Sequence, residues 1–282
     1  MVASATMGPR LLSLSSACLA LILGAFGCDR GSPSATSEPR GTPPAAPSAK
    51  APASTPASGP DGGGLDPLVS TKPFVPTENY LPRAMQGWKV HVNRELLGAQ
   101  KPLGDKALAL LDTKLALFRT VVPAHALAAL QKVALWLGVD DYAIVNPSYH
   151  PSVDWLRAHG WNPAKARGVE LGSAQTLLDW SPSQPMMVLH ELSHSYHDQV
   201  LGYDYKPILV AYEHAQASHK YEAVKRNNGR VERAYALTNA QEYFAEATEA
   251  YFGENDFQPF TKAELRTFDP ELFAILEDVW HR

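Results

Sequence analysis

The pentapeptide His190-Glu191-Leu192-Ser193-His194 sets two imidazoles and one carboxylate at a fixed spacing. On a helix, His190 and His194 stand one turn apart and leave the same face, where both can bind one metal ion. Glu191 directly follows the first histidine, so its carboxylate can reach a water on that metal and act as general base. The bland alternative is a core helix whose histidines only hydrogen-bond. A purely structural zinc would fill all four positions with protein ligands and would leave Glu191 without a task. A hydrolytic zinc keeps three protein ligands and one open position, so a third ligand has to be found elsewhere in the chain.

His197 lies nearest, three residues further along the same helix. A straight helix cannot wrap three side chains so closely around one ion, so His197 is expected to orient a neighbour or to be partly exposed. The metzincin solution needs a glycine at this place and a later histidine, and the chain has Val200 where that histidine would stand. A better source is the segment from Tyr235 to Phe252, in which Glu242, Glu246 and Glu249 form one helical stripe. The rest of that segment, with Tyr243, Phe244, Ala245, Ala247, Ala250, Tyr251 and Phe252, is apolar almost all round, as in a buried helix. Buried carboxylates need a cation or strong donors, and a zinc held by two histidines is such a partner. The competing reading is a solvated acidic face on which Asn239 and Glu242 form a simple capping box. Spacing alone does not choose between Glu242 and Glu246.

Taken together, the histidine pentapeptide and Tyr235, Asn239, Glu242 and Glu246 resemble the catalytic domain of anthrax lethal factor-like zinc metallopeptidases, a gluzincin group. In that family a Tyr-x-x-x-Asn-x-x-Glu run continues into two aromatics, Ala and Glu, which stand here as Tyr235, Asn239, Glu242, Tyr243, Phe244, Ala245 and Glu246. The resemblance implies one Zn2+ bound by His190, His194 and Glu242, with Glu191 as general base. It further implies that Tyr235 donates to the transition state, that Glu246 orients a ligand histidine, and that Asn239 supports the set. It covers Pro185 to Phe252, and residues 65–180 carry none of it. A peptide or protein substrate is the expectation; a toxin role is not carried over. A zinc-stabilised envelope binding or scaffold lipoprotein without turnover is the alternative of a different class, and hydrolysis of a non-peptide amide is a third.

The elements that must hold these residues point to an α+β fold, with a small early mixed sheet and helices followed by a mostly helical, zincin-like half. Trp88 to Val92 alternates like a half-buried strand. Asp105 to Thr120 carries Leu108, Leu111, Leu115 and Phe118 at helical spacing, and Pro123 can open a second helix ending near Leu130. Strands are expected at Val133 to Val139, Tyr142 to Val145 and Val169 to Leu171. Everything after Ser183 reads as helical. Ser181 to Pro185 supplies a helix start, Gly202 a stop, and a further helix is expected from Pro207 to Arg226, stopped by Asn227-Asn228-Gly229.

The chain of 282 residues carries 25 Lys+Arg against 29 Asp+Glu, a formal charge of −4, which argues against a general nucleic-acid binder. Its two cysteines, Cys18 and Cys28, both stand near the start and rule out a Cys-based zinc site downstream. After Arg10, an apolar stretch from Leu11 to Phe26 is short for a membrane span and suits a signal-peptide core. Gly24-Ala25-Phe26-Gly27-Cys28 resembles a bacterial lipobox, so residues 1–27 are expected to form a lipoprotein-type signal peptide. Residues 28–64 are rich in Pro, Ala, Ser and Gly, have nothing to bury from Gly31 onwards, and read as a disordered linker. Residues 65–282 are then an exported domain, secreted or held at the cell envelope through Cys28. Membrane contact is expected only through that lipid or signal anchor.

Overall fold

The computed structural model describes residues 73–141 and 146–282. The signal segment, Cys28, the linker and the strand expected at Tyr142 to Val145 lie outside the described residues. The first ordered unit is a hairpin, β1 (Tyr80–Met85) against β2 (Trp88–Asn93). Its turn uses Gln86 at φ 51 and Gly87 at φ 96, and two left-handed residues match the twist of the strands they join. Trp88, Val90 and Val92 face the core, as their alternation requires. β1 went unread in the sequence, because Gln-Gly is a weaker turn signal than Asn-Gly.

Helix α1 (Lys101–Val121) starts earlier than the apolar spacing indicates, because a proline fits its first turn. It buries Ala107, Leu111, Leu115 and Phe118. Helix α2 (Ala124–Leu130) follows Pro123, and the chain returns through β3 (Leu135–Leu137), parallel to β2 and shorter than expected. Next come β4 (Ser148–Tyr149), α3 (Val153–Ala158), β5 (Val169–Leu171) and α4 (Ala174–Trp180). Ser152 and Ser173 cap α3 and α4 by accepting from Trp155 and Thr176 amides. The five-stranded mixed sheet runs β1-β2-β3-β5-β4, and β4 is antiparallel to β5 at one end of that order. The architecture is α+β.

The second half packs helices against this sheet. Helix α5 (Met187–Tyr196) carries the two histidines; it is followed by one π turn (His197–Leu201) and by Gly202 at φ 82. Met186 precedes it without a side-chain cap, so the helix start expected from Ser181 to Pro185 supplies no cap to α5. Helix α6 spans Lys206–Ala217, and α7 (Ala240–Phe252), α8 (Lys262–Phe268) and α9 (Pro270–His281) close the chain. The expectation of helix as far as Arg226 fails. Val224–Lys225 and Val231–Glu232 pair as a small hairpin, β6 and β7, and Asn227-Asn228-Gly229 lies in its turn instead of ending a helix. Gly229 adopts φ 83, the conformation such turns require. Among the described residues, no helix is long and apolar enough to cross a membrane.

Helices α5 and α7 form the centre of this half. Every residue of α5 except Glu191 is buried, and so is every residue from Glu242 to Tyr251 of α7. Trp280 of α9 fixes both: Tyr196 stacks on it at 4.3 Å between ring centroids and Phe244 at 5.7 Å. The Tyr196 hydroxyl also donates to the Val279 carbonyl at 2.9 Å.

The sheet has its own ionic anchor. Lys165 is fully buried, with Nζ 2.8 Å from Asp141 Oδ2, a second ion pair to Glu170 and a bond of 3.1 Å to the Tyr80 hydroxyl. His150 Nε2 meets the other Glu170 oxygen at 2.8 Å. Burial alone would raise the Glu170 carboxyl, but Lys165 and His150 outweigh it and hold it low. Lys165→Met leaves two buried carboxylates without their cation, so urea unfolding at pH 7 should show a loss of about 3–5 kcal/mol.

Candidate metal centre

The two helices bring the histidines of α5 onto the carboxylates of α7. His190 Nε2 stands 2.9 Å from Glu242 Oε2, and His194 Nε2 stands 3.5 Å from the same oxygen. The ligand atoms of His190, Glu191 and His194 also lie within 4.8 Å of one another. Asn239 supplies the start of α7 by accepting from the Glu242 amide at 2.8 Å, which fixes Glu242 in the first turn facing α5. That capping bond is what the structure shows for Asn239.

Electrostatics follow from burial. Glu242 is desolvated, which raises its carboxyl, yet the imidazoles of His194 and His190 outweigh this and hold it far below the usual carboxylate range. Glu191, half-buried, is pushed the other way: burial raises its carboxyl, and the neighbouring histidines offset only part of that. One carboxylate is therefore kept charged, while the other sits closer to accepting a proton. That division of roles suits a ligand and a base.

The orienting contact on His190 differs from the one the resemblance implies. Its Nδ1 meets Glu249 Oε1 at 2.7 Å, whereas Glu246 Oε1 stands 3.8 Å away, beyond hydrogen-bond reach. Both carboxylates belong to the same stripe, but Glu249, in the third turn of α7, makes the bond to Nδ1 while Glu242, in the first, meets Nε2. Glu246 also lines a crevice with Tyr221, Tyr243 and Asn255, while its ligand atom stays within 4.8 Å of those of His190 and Glu249. Tyr235 opens a short 3-10 turn (Tyr235–Leu237) that leads into Asn239, and it is half-buried against the core.

His197 is fully buried, contrary to the expectation of partial exposure. The π turn inserts an extra residue per turn and swings the ring inward, where it packs on Phe244 at 5.0 Å and edge-on to Tyr203 at 5.1 Å. Neither ring nitrogen has a hydrogen-bond partner. Residues missed by the sequence reading cluster here too: the Tyr149 amide donates to Glu191 Oε2 at 2.8 Å, and the Tyr149 hydroxyl to Asp198 Oδ2 at 2.6 Å. No short-range pattern links Tyr149 to a helix some forty residues on, and only the fold joins them.

No family model, curated protein or solved structure matches the chain. The site therefore stands on its own geometry.

Burial, and next the charge of His194, lower the His197 pKa from 6.5 to about 3. The unfolded chain binds a proton here below about pH 6.5 and the folded one only near pH 3, so this contribution is complete above 6.5 and fades as the pH falls. At pH 5 the loss amounts to about 2 kcal/mol. Urea titrations of the metal-free protein at pH 7 and pH 5 should show His197→Phe losing less stability than wild type by about that amount.

Proposed function

We propose that this chain is an exported zinc-dependent peptidase, anchored through Cys28, in which His190, His194 and Glu242 hold the metal and Glu191 is the general base. One observation carries the reading: two imidazole Nε2 atoms from one helix converge on a single carboxylate oxygen from another, with a further carboxylate beside them. Donors around a tetrahedral ion with bonds of about 2.0–2.1 Å lie about 3.3 Å apart, and the separations of 2.9 and 3.5 Å bracket that value. The charge balance fits as well. Glu242, Glu246 and Glu249 are 2%, 2% and 0% exposed, and burying three carboxylates beside histidines favours a divalent cation among them. The Glu249 bond to His190 Nδ1 favours the tautomer whose Nε2 lone pair points to Glu242 and can bind metal there.

Zinc, when bound, would lower the pKa of a water towards about 7 and polarise a substrate carbonyl. The protein's own groups would do the rest. Glu191 takes the proton of the attacking water as the bond to carbonyl carbon forms, and its raised affinity for that proton, a consequence of burial, makes the transfer easier. It then returns the proton to the departing amine, so the peptide C–N bond breaks without releasing an amide anion. Tyr235, in the role implied by the resemblance, donates to the developing oxyanion. His190 and His194 keep orientation through the packing of α5, and Asn239 keeps Glu242 in place by capping α7.

Zinc affinity measured by competition with a chromophoric chelator should fall most for His190→Ala, His194→Ala and Glu242→Ala. Glu249→Gln should cost about 10–100-fold and Glu246→Gln less, since Glu249 bonds the ring. Full zinc affinity in Glu242→Ala would move the third ligand elsewhere.

Turnover of labelled casein tests the reaction itself. Glu191→Gln should keep its zinc and lose about 10²–10⁴-fold in rate. Tyr235→Phe should keep zinc and fold and lose about 10²–10³-fold in kcat with little change in KM. Zinc-loaded protein whose activity ignores Glu191 would defeat the peptidase reading.

A further inference from the structure

Tyr149 touches the metal-site helix at two levels. Its amide donates to Glu191 Oε2 at 2.8 Å, and two helical turns further along, its hydroxyl donates to Asp198 Oδ2 at 2.6 Å. Gln199 Nε2 donates to the same hydroxyl at 3.0 Å and to the Arg167 carbonyl at 3.3 Å. The ladder explains why the amide is available. The His150 amide donates to Gly168 O at 3.1 Å, and the Arg167 amide to His150 O at 2.6 Å, so His150 pairs inward to the sheet. Strand groups alternate in direction, and the amide one residue earlier faces out of the ladder, towards α5.

Both anchors of Tyr149 lie on one line of the helix. Glu191 and Asp198 are seven residues apart, two turns, and the π turn carries Asp198 and Gln199 at its start. A single strand residue thus grips the helix face on which the carboxylate of Glu191 stands. Glu191 has three rotatable side-chain bonds and is the one residue of α5 that is not fully buried, so packing alone does not hold it. The amide bond engages one oxygen and leaves the other to receive a proton.

We propose that Tyr149 is the positioning residue of Glu191, its amide setting the carboxylate and its hydroxyl, clamped by Asp198 and Gln199, setting the amide. This rests on the hydrolytic reading of the site and adds to it a group from the sheet. A displacement of about 1 Å at a reacting group can cost 10²-fold in rate, so loosening the clamp should reach turnover before it reaches binding. A clasp with a merely structural role would lower stability and leave kcat alone.

Two measurements on the full chain test the proposal. In the first, amide hydrogen exchange compares wild type with Glu191→Ala. The Tyr149 amide should exchange at least tenfold faster in the variant, while the His150 amide, bonded to Gly168, stays unchanged. Equal exchange at Tyr149 would overturn the proposal whatever the protein cleaves. In the second, zinc-loaded Tyr149→Phe is assayed on labelled casein. A kcat lower by about 10–100-fold, with KM and zinc content unchanged, supports the clamp. An unchanged kcat overturns it. Asp198→Asn keeps an oxygen that can accept from the hydroxyl and should retain most of the rate; a loss as large as that of Glu191→Gln would overturn the order of parts. Failure of the wild type to cleave casein would strike the peptidase reading, and the exchange comparison would still decide whether Tyr149 holds Glu191.

Discussion

The structure turns on charge buried between two helices. Helix α7 presents Glu242, Glu246 and Glu249 to the interior, and helix α5 answers with His190 and His194. Desolvating a carboxylate is costly unless a cation or donors replace its water. The pair of helices therefore packs in the register that sets imidazole nitrogens against carboxylate oxygens. That requirement explains why both helices are buried along nearly their whole length. Each needs apolar cover on the faces the charges do not use, and Trp280, Tyr196 and Phe244 supply it.

The same problem is solved differently on the sheet side. There a fully buried lysine, Lys165, compensates Asp141 and Glu170, with Tyr80 and His150 taking up further hydrogen-bonding capacity. This network ties the hairpin at one end of the sheet to β5. Beside β5 runs β4, and through it the sheet reaches the helix that carries Glu191. The two buried ionic clusters are thus joined by a short strand. The lysine cluster brings its own cation, whereas the α5–α7 cluster sets histidines against its carboxylates, and the proposed divalent ion would complete that balance.

The π turn after α5 marks where regular geometry yields to the site. One additional residue in the turn brings His197 into the core and sets Asp198 against Tyr149. A plain α-helix would keep the next turn in phase with His190 and His194. The interruption lets the chain use three consecutive residues for a buried aromatic contact, a clamp and a donor to the sheet.

The sequence by itself determined the local parts. The spacing of His190, Glu191 and His194, the apolar run that buries α7, the alternation of β2 and the apolar spacing of α1 are all repeats within a few residues, and short-range periodicity records them directly. The Asn239–Glu242 capping box, which the sequence offered as the competing reading of this stretch, is a local signal too, and the structure has that bond. The helix read as far as Arg226 went wrong because a turn formed by Asn227, Asn228 and Gly229 fits a helix stop and a hairpin equally well. Tertiary structure alone decided which member of the glutamate stripe bonds His190 Nδ1. Glu246 and Glu249 are close equivalents along the helix, and the packing of α7 on α5 leaves Glu249 at 2.7 Å and Glu246 at 3.8 Å from that nitrogen. It also decided the burial of His197 and the meeting of Tyr149 with Glu191, 42 residues apart in the chain. Contacts of that range depend on how sheet and helices pack, and no pattern within either segment encodes the direction from which the other arrives.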